Sequence, residues 1–167
     1  EKLKPTDVSL DSSAAYPHKV VDHYFLRKDY FKDVMWADII NSNVKTRGQY
    51  VYSDLSMVVM KEILERITAT PLNVYVQQNF YGPLGMQTAG FLPLNRFARD
   101  RIIPTEDDEV FRHTLLLGYV HDPTAALLSG VSGNAGLFAS ANDIAILYQM
   151  LLNKGSYGGV QYFKPQT

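Results

Sequence analysis

The strongest structural signal in this sequence is an amphipathic helix, predicted over residues 53–68. Its apolar residues recur at helical spacing on one stripe, and the charged residues lie largely off that stripe. The stripe comprises Leu55, Val58, Val59, Ile63 and Ile67. Few segments elsewhere alternate with the period of two that is typical of a strand. The chain is therefore predicted to be mostly α with long loops and one or two short strands.

Three further helices are predicted from spacing and end signals. One covers about residues 28–41, and a short one runs from the Thr70-Pro71 step, with its N-cap and first-turn proline, to about residue 79. The last covers residues 142–153, where Ser140 to Asp143 resembles a capping box with Asp in place of Glu. The segment between these helices is expected to be mostly irregular.

Composition bounds the class of protein. The length of 167 residues is typical of a single domain. The net charge of −1 comes from 16 basic and 17 acidic residues. That balance argues against a nucleic-acid partner or an anionic membrane surface. No apolar stretch approaches the roughly 20 residues needed to span a bilayer. Because the sequence has no cysteine, disulfides, thiolate metal sites and a cysteine nucleophile are excluded.

Both ends of the sequence are expected to have been cut from a longer protein. The opening, Glu1 to Pro5, has no hydrophobic core and is therefore not a signal peptide. The last residues, 162–167, follow a predicted helix without a terminal element. We therefore expect a partial domain rather than a complete one.

The residues of greatest chemical interest lie at the start of the 53–68 helix. Tyr50-Val51-Tyr52 is strand-like and breaks into the helix, so a rigid element would hold the Tyr52 hydroxyl towards a cleft. Because a free tyrosine has a pKa of about 10, it acts as a base only beside a cation or a positive dipole. The helix N-terminus supplies part of that field. The alternative is that Tyr50 and Tyr52 are core aromatics preceding a helix.

Several phrases over about residues 45–160 resemble the serine β-lactamase-related family, which includes class C β-lactamases and penicillin-binding-protein-like serine hydrolases. They are, in order, Gln49–Ser56, Tyr81–Phe91, Val120–Pro123, Gly130–Asp143 and Gln149–Gly155. The resemblance implies the helical-lobe segment of the α/β serine β-lactamase-like fold. It implies one partial domain over 1–167, with about 1–25 a weakly matched leader and 26–167 the lobe.

In this family the tyrosine is one of three motifs. An upstream Ser-x-x-Lys provides the nucleophile and its lysine, and a downstream Lys-Thr-Gly or His-x-Gly strand completes the pocket. Tyrosine and lysine deprotonate the serine, and water cleaves the resulting acyl-enzyme. Neither flanking motif is evident here, so the isolated chain is expected to be inactive. Ser42 to Lys45 spells Ser-x-x-Lys but lies in a polar connector just before Tyr52, and it is the weaker candidate.

Asp54 stands where the family usually has Asn. An Asn amide can donate to a substrate carbonyl, whereas an ionised Asp only accepts. The substitution weakens the case for a β-lactam or amide substrate. It is compatible with an esterase-like or peptidase-like relative, or with Asp54 pairing the missing lysine. A plain first-turn Asp favoured by the helix dipole is an equal alternative. The resemblance implies Tyr52 and Asp54 as the catalytic candidates.

A glycine-rich loop, residues 129–136, precedes the last helix. Because residue 134 is Asn, the loop does not satisfy Gly-x-Ser-x-Gly and is not a nucleophile elbow. In the family this phrase is a loop near the cleft, so Ser132, Gly133 and Asn134 are substrate-binding candidates. The alternative is a purely structural loop.

The remaining titratable residues suggest no cofactor chemistry. His121-Asp122 could form an oriented base, although a hydrogen-bonded structural pair is the simpler interpretation. No histidine spacing indicates a metal site, and neither a metal nor another cofactor is expected.

The sequence thus predicts a fragment of a serine hydrolase that acts on an ester or amide through an acyl-serine intermediate. By resemblance, the longer protein would be bacterial, lie in the periplasm or cell envelope, and take a cell-wall-derived acyl or peptide substrate. Fusion to a glycoside hydrolase module is a further expectation by analogy. The alternative is a non-catalytic binding or scaffolding domain of the same fold. Because half a fold exposes apolar surface, the fragment is expected to self-associate or to be marginally stable.

Overall fold

The computed structural model describes residues 3–43 and 46–167. The α-helices in these ranges are α1 (Trp36–Ile40), α2 (Leu55–Thr68), α3 (Leu72–Val76), α4 (Pro123–Leu127) and α5 (Ala141–Leu152). The strands are β1 (Val8–Ser9), β2 (His18–Val21), β3 (Tyr24–Leu26), β4 (Glu106–Asp108), β5 (Thr114–Leu116), β6 (Ser156–Tyr157) and β7 (Val160–Gln161). Two π-helical turns are Phe31–Met35 and Gln77–Tyr81, and the 3-10 helices are Pro5–Asp7, Pro93–Asn95 and Arg99–Arg101.

The strands form small antiparallel sheets. In the largest, the order is β1-β3-β2, and Leu26 of β3 faces Val8 on one side and His18 on the other. β4 pairs with β5, and β6 pairs with β7. The prediction of only short strands holds, but the described residues contain seven strands rather than one or two. A strand of two to four residues is too short to display a period of two, so the sequence does not reveal it.

The described chain packs around two hydrophobic clusters. The first joins β2 and β3 to α4 and the segment before it, through Val20, Leu26, Tyr30, Val120, Ala125 and Ala126. The second joins α5 to the segment after the second π-helical turn, through Tyr81, Leu84, Met86, Ala89 and Met150. Together they fix the positions of α4 and α5, and with them the loop that connects these two helices.

Helix α2 buries less of its predicted apolar stripe than expected. Val58 is fully buried, but Leu55 and Ile63 are each 42% exposed and Ile67 is 80% exposed. The half-buried side of α2 includes Lys61, whose Nζ lies 2.9 Å from a carboxylate oxygen of Glu65. The described chain therefore leaves an apolar face of α2 open.

The junction of α2 and α3 differs from the prediction. Thr70 does not cap α3, because its hydroxyl donates back to the Thr68 carbonyl at 3.0 Å. Pro71 is the N-cap, and the first free amide, that of Leu72, donates to the Glu65 carboxylate at 2.7 Å. A side chain from the preceding helix thus replaces the local cap. The helix predicted over 28–41 is likewise shorter, because Phe31–Met35 form a π-helical turn before α1.

Helix α5 begins as predicted but with only half of the expected capping box. The Ser140 hydroxyl accepts from the Asp143 amide at 3.4 Å. The Asp143 carboxylate turns away and accepts from the Thr88 amide at 2.6 Å, the Thr88 hydroxyl at 2.7 Å and the Ala89 amide at 2.8 Å. Asp143 is only 3% exposed, so a buried carboxylate ties residues 88–89 to the start of α5.

Candidate functional site

Tyr52 lies in an exposed segment immediately before α2. Tyr50, Val51 and Tyr52 are 90%, 58% and 78% exposed. These residues form no strand and pair with none in the part of the chain that the structure describes, so the strand-like interpretation is wrong. The alternative of two core aromatics is also wrong, because both rings face solvent. The tyrosine lies just before the start of a helix, and its hydroxyl facing a cleft stays a prediction.

Asp54 accepts a hydrogen bond from the tyrosine and raises its pKa. The Tyr52 hydroxyl donates to Asp54 Oδ1 at 3.1 Å. Asp54 is the N-cap of α2, but its side chain makes no capping bond, and the Leu55 amide is met by the Ser53 hydroxyl at 3.3 Å. The hydrogen bond to Asp54 raises the pKa of Tyr52, and the negative charges of Asp54 and Asp122 add to that effect. These surroundings therefore disfavour the phenolate that a tyrosine base requires.

The loop of Ser132, Gly133 and Asn134 packs against the first turn of α2. A Cβ added to Gly133 would lie 2.2 Å from the Met57 carbonyl oxygen, so the loop and the helix backbone are in close contact there. Only glycine permits this approach. Ser132 is 2% exposed, and its hydroxyl donates to Asn134 Oδ1 at 2.6 Å. Ser132 thus orients Asn134, and its own hydroxyl is engaged.

Asp122 completes this group of residues, and the sequence interpretation placed it only in a pair with His121. Its Oδ1 accepts from the Asn134 side-chain amide at 3.2 Å and from the Ala125 amide at 2.7 Å, which caps α4. An Asp followed by a proline at the first helical position is a recognisable helix start, and that signal was available in the sequence. The structure therefore brings Tyr52 and Asp54 to the same end of α2 as the glycine-rich loop.

A buried ion pair between Arg112 and Asp108 holds the backbone that leads into Asp122. The Arg112 guanidinium, whose side chain is 1% exposed, donates to Asp108 Oδ2 at 2.5 Å, to the Val120 carbonyl at 2.6 Å and to the His121 carbonyl at 2.5 Å. Burial raises the pKa of Asp108, but backbone amides and Arg112 outweigh it and hold that pKa well below its usual range. Arg112 thereby fixes the backbone just before Asp122. No sequence pattern marked it.

The weaker nucleophile candidate is only partly described. The Ser42 hydroxyl donates to the Ile39 carbonyl at 2.7 Å, beyond the C-terminal end of α1. A family-type serine begins a helix, whereas Ser42 follows one. Lys45, the other half of that pattern, lies outside the described residues.

The chemistry that this group can perform is proton transfer and hydrogen bonding. It holds a phenol, two carboxylates and a side-chain amide, and the charged groups that shift the Tyr52 pKa within residues 3–43 and 46–167 are the carboxylates of Asp54 and Asp122. Within residues 3–43 and 46–167, no three His, Asp or Glu side chains are arranged to bind a metal ion. In the same ranges no helix combines the length and hydropathy that crossing a bilayer requires.

Comparison with known proteins identifies one family and several similar proteins. A family model described as Beta-lactamase matches residues 10–161. The chain is 36% identical over 163 residues to the N-acetylmuramyl-L-alanine amidase of Bacillus subtilis strain 168, covering 90% of this chain and 36% of that protein. It is 35% identical over 164 residues to a provisionally named D-alanyl-D-alanine carboxypeptidase of Escherichia coli K12, covering 91% of this chain and 38% of that protein. The chain thus spans less than two fifths of these relatives.

Proposed function

The chain belongs to the beta-lactamase family, and on that premise we propose that it supplies Tyr52 and Asp54 to the active site of a serine hydrolase. The observation that carries the proposal is the exposed Tyr52 hydroxyl, 3.1 Å from Asp54 Oδ1, at the end of α2 against which Gly133 of the glycine-rich loop packs. The nucleophilic serine and its lysine would lie outside this helical-lobe segment, and the isolated chain would be inactive.

The electrostatics around Tyr52 favour a cation as the missing group. Asp54 and Asp122 both raise the pKa of Tyr52. A lysine ammonium within about 4–6 Å of the phenol would act in the opposite direction and favour the phenolate. The family's Ser-x-x-Lys motif carries such a lysine, and Asp54 would be its counter-ion. This pairing would explain why residue 54 is Asp rather than the Asn that the family usually has.

The proposed reaction is acyl transfer. The serine oxygen attacks the carbonyl carbon of an ester or amide, and its proton passes to the Tyr52–lysine pair. The leaving alcohol or amine takes that proton as the acyl bond breaks, and water then hydrolyses the acyl-serine. Asn134 would donate its side-chain amide to the substrate, with Ser132 and Gly133 holding the loop in place.

The names of the relatives suggest the substrate class. One is named as an amidase of N-acetylmuramyl-L-alanine and others provisionally as D-alanyl-D-alanine carboxypeptidases. We therefore propose a cell-wall-derived acyl or peptide substrate and a periplasmic or envelope location for the longer protein. A fused glycoside hydrolase module remains part of the same proposal.

Covalent labelling tests the assignment of Tyr52. A fluorescent penicillin and a fluorophosphonate are incubated with this chain and with a longer protein that contains it, and adducts are mapped by mass spectrometry. We expect an adduct only on the longer protein, at a serine outside residues 1–167. Tyr52→Phe should slow labelling by about a hundredfold or more, because general acid–base groups contribute about 10²–10⁴. Tyr50→Phe is the matched control, since that ring is 90% exposed and should leave the rate unchanged.

Two outcomes would contradict the proposal. One is an adduct on the isolated chain at Ser42, which would make that serine the nucleophile. The other is saturable hydrolysis of p-nitrophenyl acetate by the isolated chain that Tyr52→Phe abolishes.

A non-catalytic binding domain is the second candidate. It is favoured by one observation: Asp54 and Asp122 both raise the pKa of Tyr52, which disfavours the phenolate that a base would need. Absence of any adduct on the longer protein, with both probes, would support this candidate over the hydrolase.

A further inference from the structure

A cavity separate from the Tyr52 group lies at the other end of the glycine-rich loop. Its volume is about 370 Å³, within the usual range for small-molecule pockets. Ser129 and Gly130 line it, whereas Gly133, further along the loop, packs against α2. The remaining walls come from β2, the segment at residues 92–95 and the segment at residues 118–120.

Glycines bring these walls together. A Cβ on Gly118 would lie 2.6 Å from Leu94 Cγ, and a Cβ on Gly130 would lie 2.9 Å from Leu92 Cδ2. Both glycines have positive φ angles, of +81° and +80°, which side-chain-bearing residues rarely adopt. The apolar side chains are thereby held around the space, and Val20 and Val120 are among those that line it.

The first polar pair in the cavity wall is formed by His18 and Ser129. His18 Nε2 lies 2.8 Å from the Lys28 carbonyl and donates to it. The Ser129 hydroxyl lies 3.4 Å from the other ring nitrogen, Nδ1. Both polar side chains on this side of the cavity therefore have a partner within the protein.

The second polar group carries a surplus positive charge. Lys19 and Tyr119 line the cavity, and both contact Asp22 behind it: Lys19 Nζ at 2.7 Å and the Tyr119 hydroxyl at 2.5 Å from Oδ1. Arg99 pairs with the same carboxylate. Two cations therefore share one anion, which leaves one positive charge at the polar end. Lys19 has three N–H donors and can bond a further oxygen.

We propose that this cavity binds a small monocarboxylate with an apolar body, its carboxylate on Lys19 and its chain against the apolar walls. The surplus charge excludes a cationic ligand, and the mostly apolar lining disfavours a polyol. This site is independent of the serine-hydrolase proposal, because it uses neither Tyr52 nor a nucleophile.

Three ligands of equal chain length test the proposal. Hexanoate, hexanol and hexylamine are titrated into the ¹⁵N-labelled chain, and amide shifts are followed at Val20 and Ser129. We expect saturable binding of hexanoate, binding of hexanol weaker by about tenfold or more, and no binding of hexylamine at these residues, because a charge-assisted hydrogen bond is lost. Equal affinity for hexanoate and hexanol, or no saturable shift with hexanoate, would overturn the proposal.

Two variants locate the site. Lys19→Met should weaken hexanoate binding by about tenfold or more, and Lys32→Met, at an exposed lysine outside the cavity, should not. Asn95→Trp should block binding, because Asn95 lines the cavity and is exposed, so a larger ring fits there without entering the core. Unchanged binding in either Lys19→Met or Asn95→Trp would place the ligand elsewhere and refute the assignment.

Discussion

Replacing Arg112 by Met is the most informative single perturbation of this fold. Met keeps much of the apolar stem but removes the guanidinium that bonds Asp108 and the carbonyls of Val120 and His121. Asp108 keeps the amides of Val110, Phe111 and residue 112, at 3.1, 2.8 and 3.0 Å, but loses its cation while its side chain is only 6% exposed. Removing one partner of a buried pair costs about 3–5 kcal/mol in the free energy of unfolding.

Urea unfolding followed by circular dichroism measures this loss. With an m-value of about 1–3 kcal/mol/M in urea, a loss of about 3–5 kcal/mol shifts the midpoint by roughly 1 M or more and is readily resolved. The double variant Asp108→Asn with Arg112→Met should lose less than the sum of the single variants, because it leaves no buried unpaired charge. Arg101→Met, at an exposed arginine, is the control and should stay within about 0.5 kcal/mol. A loss below about 1 kcal/mol in Arg112→Met would refute the inference that this pair anchors the Asp122 segment.

Three further predictions follow from single contacts. Asp143 has a lowered pKa: its burial raises the pKa, but hydrogen bonds from Thr88 and Ala89 outweigh that effect. The stabilisation by the ionised Asp143 is therefore fully present above the unfolded pKa of about 3.9 and is lost as pH falls through the folded pKa. Asp143→Asn should flatten the acid side of a plot of unfolding free energy against pH. An unchanged plot would contradict this role of Asp143. Gly133→Ala should cost about 1–3 kcal/mol in urea unfolding, since its Cβ would meet a helix carbonyl; a neutral effect would mean that the loop is not seated on α2. Met60→Glu on the open face of α2, where Met60 is 56% exposed, should reduce self-association in sedimentation velocity, and a monomeric parent chain would contradict that prediction.

Local signals predicted the parts of the fold that local interactions determine. The starts of α2 and α5 agree with the prediction to within two residues, because capping groups and helical spacing act over one or two turns. The face that α2 buries was not predictable in this way. Ile63 and Ile67 are apolar yet exposed, and Lys61 and Glu65 are half-buried, because burial depends on which elements of the chain are present to cover each face.

In the candidate site, too, the features that local interactions determine were predictable and those that depend on tertiary contacts were not. Tyr52 and Asp54 were predicted from a phrase of neighbouring residues, and their hydrogen bond is a local one. The Asp-Pro start of α4 was a readable signal for Asp122 as a cap, but the hydrogen bond of Asp122 to Asn134 and those of Arg112 to the Val120 and His121 carbonyls depend on how the loops fold and have no sequence pattern. A buried arginine can be identified only once its partners are known.

The position of Tyr52 and its reactivity have different sources. Position comes from within the chain: Asp54 accepts the hydroxyl, and the Gly133 contact with the Met57 carbonyl holds the loop against the same end of α2. Those contacts raise the pKa of the phenol, through the hydrogen bond to Asp54 and the negative charges of Asp54 and Asp122. A cation beside the phenol would act in the opposite direction and lower that pKa. On the proposal that Tyr52 serves a serine nucleophile, the lysine that accompanies this serine would therefore pair with Asp54 and favour the phenolate in a single step.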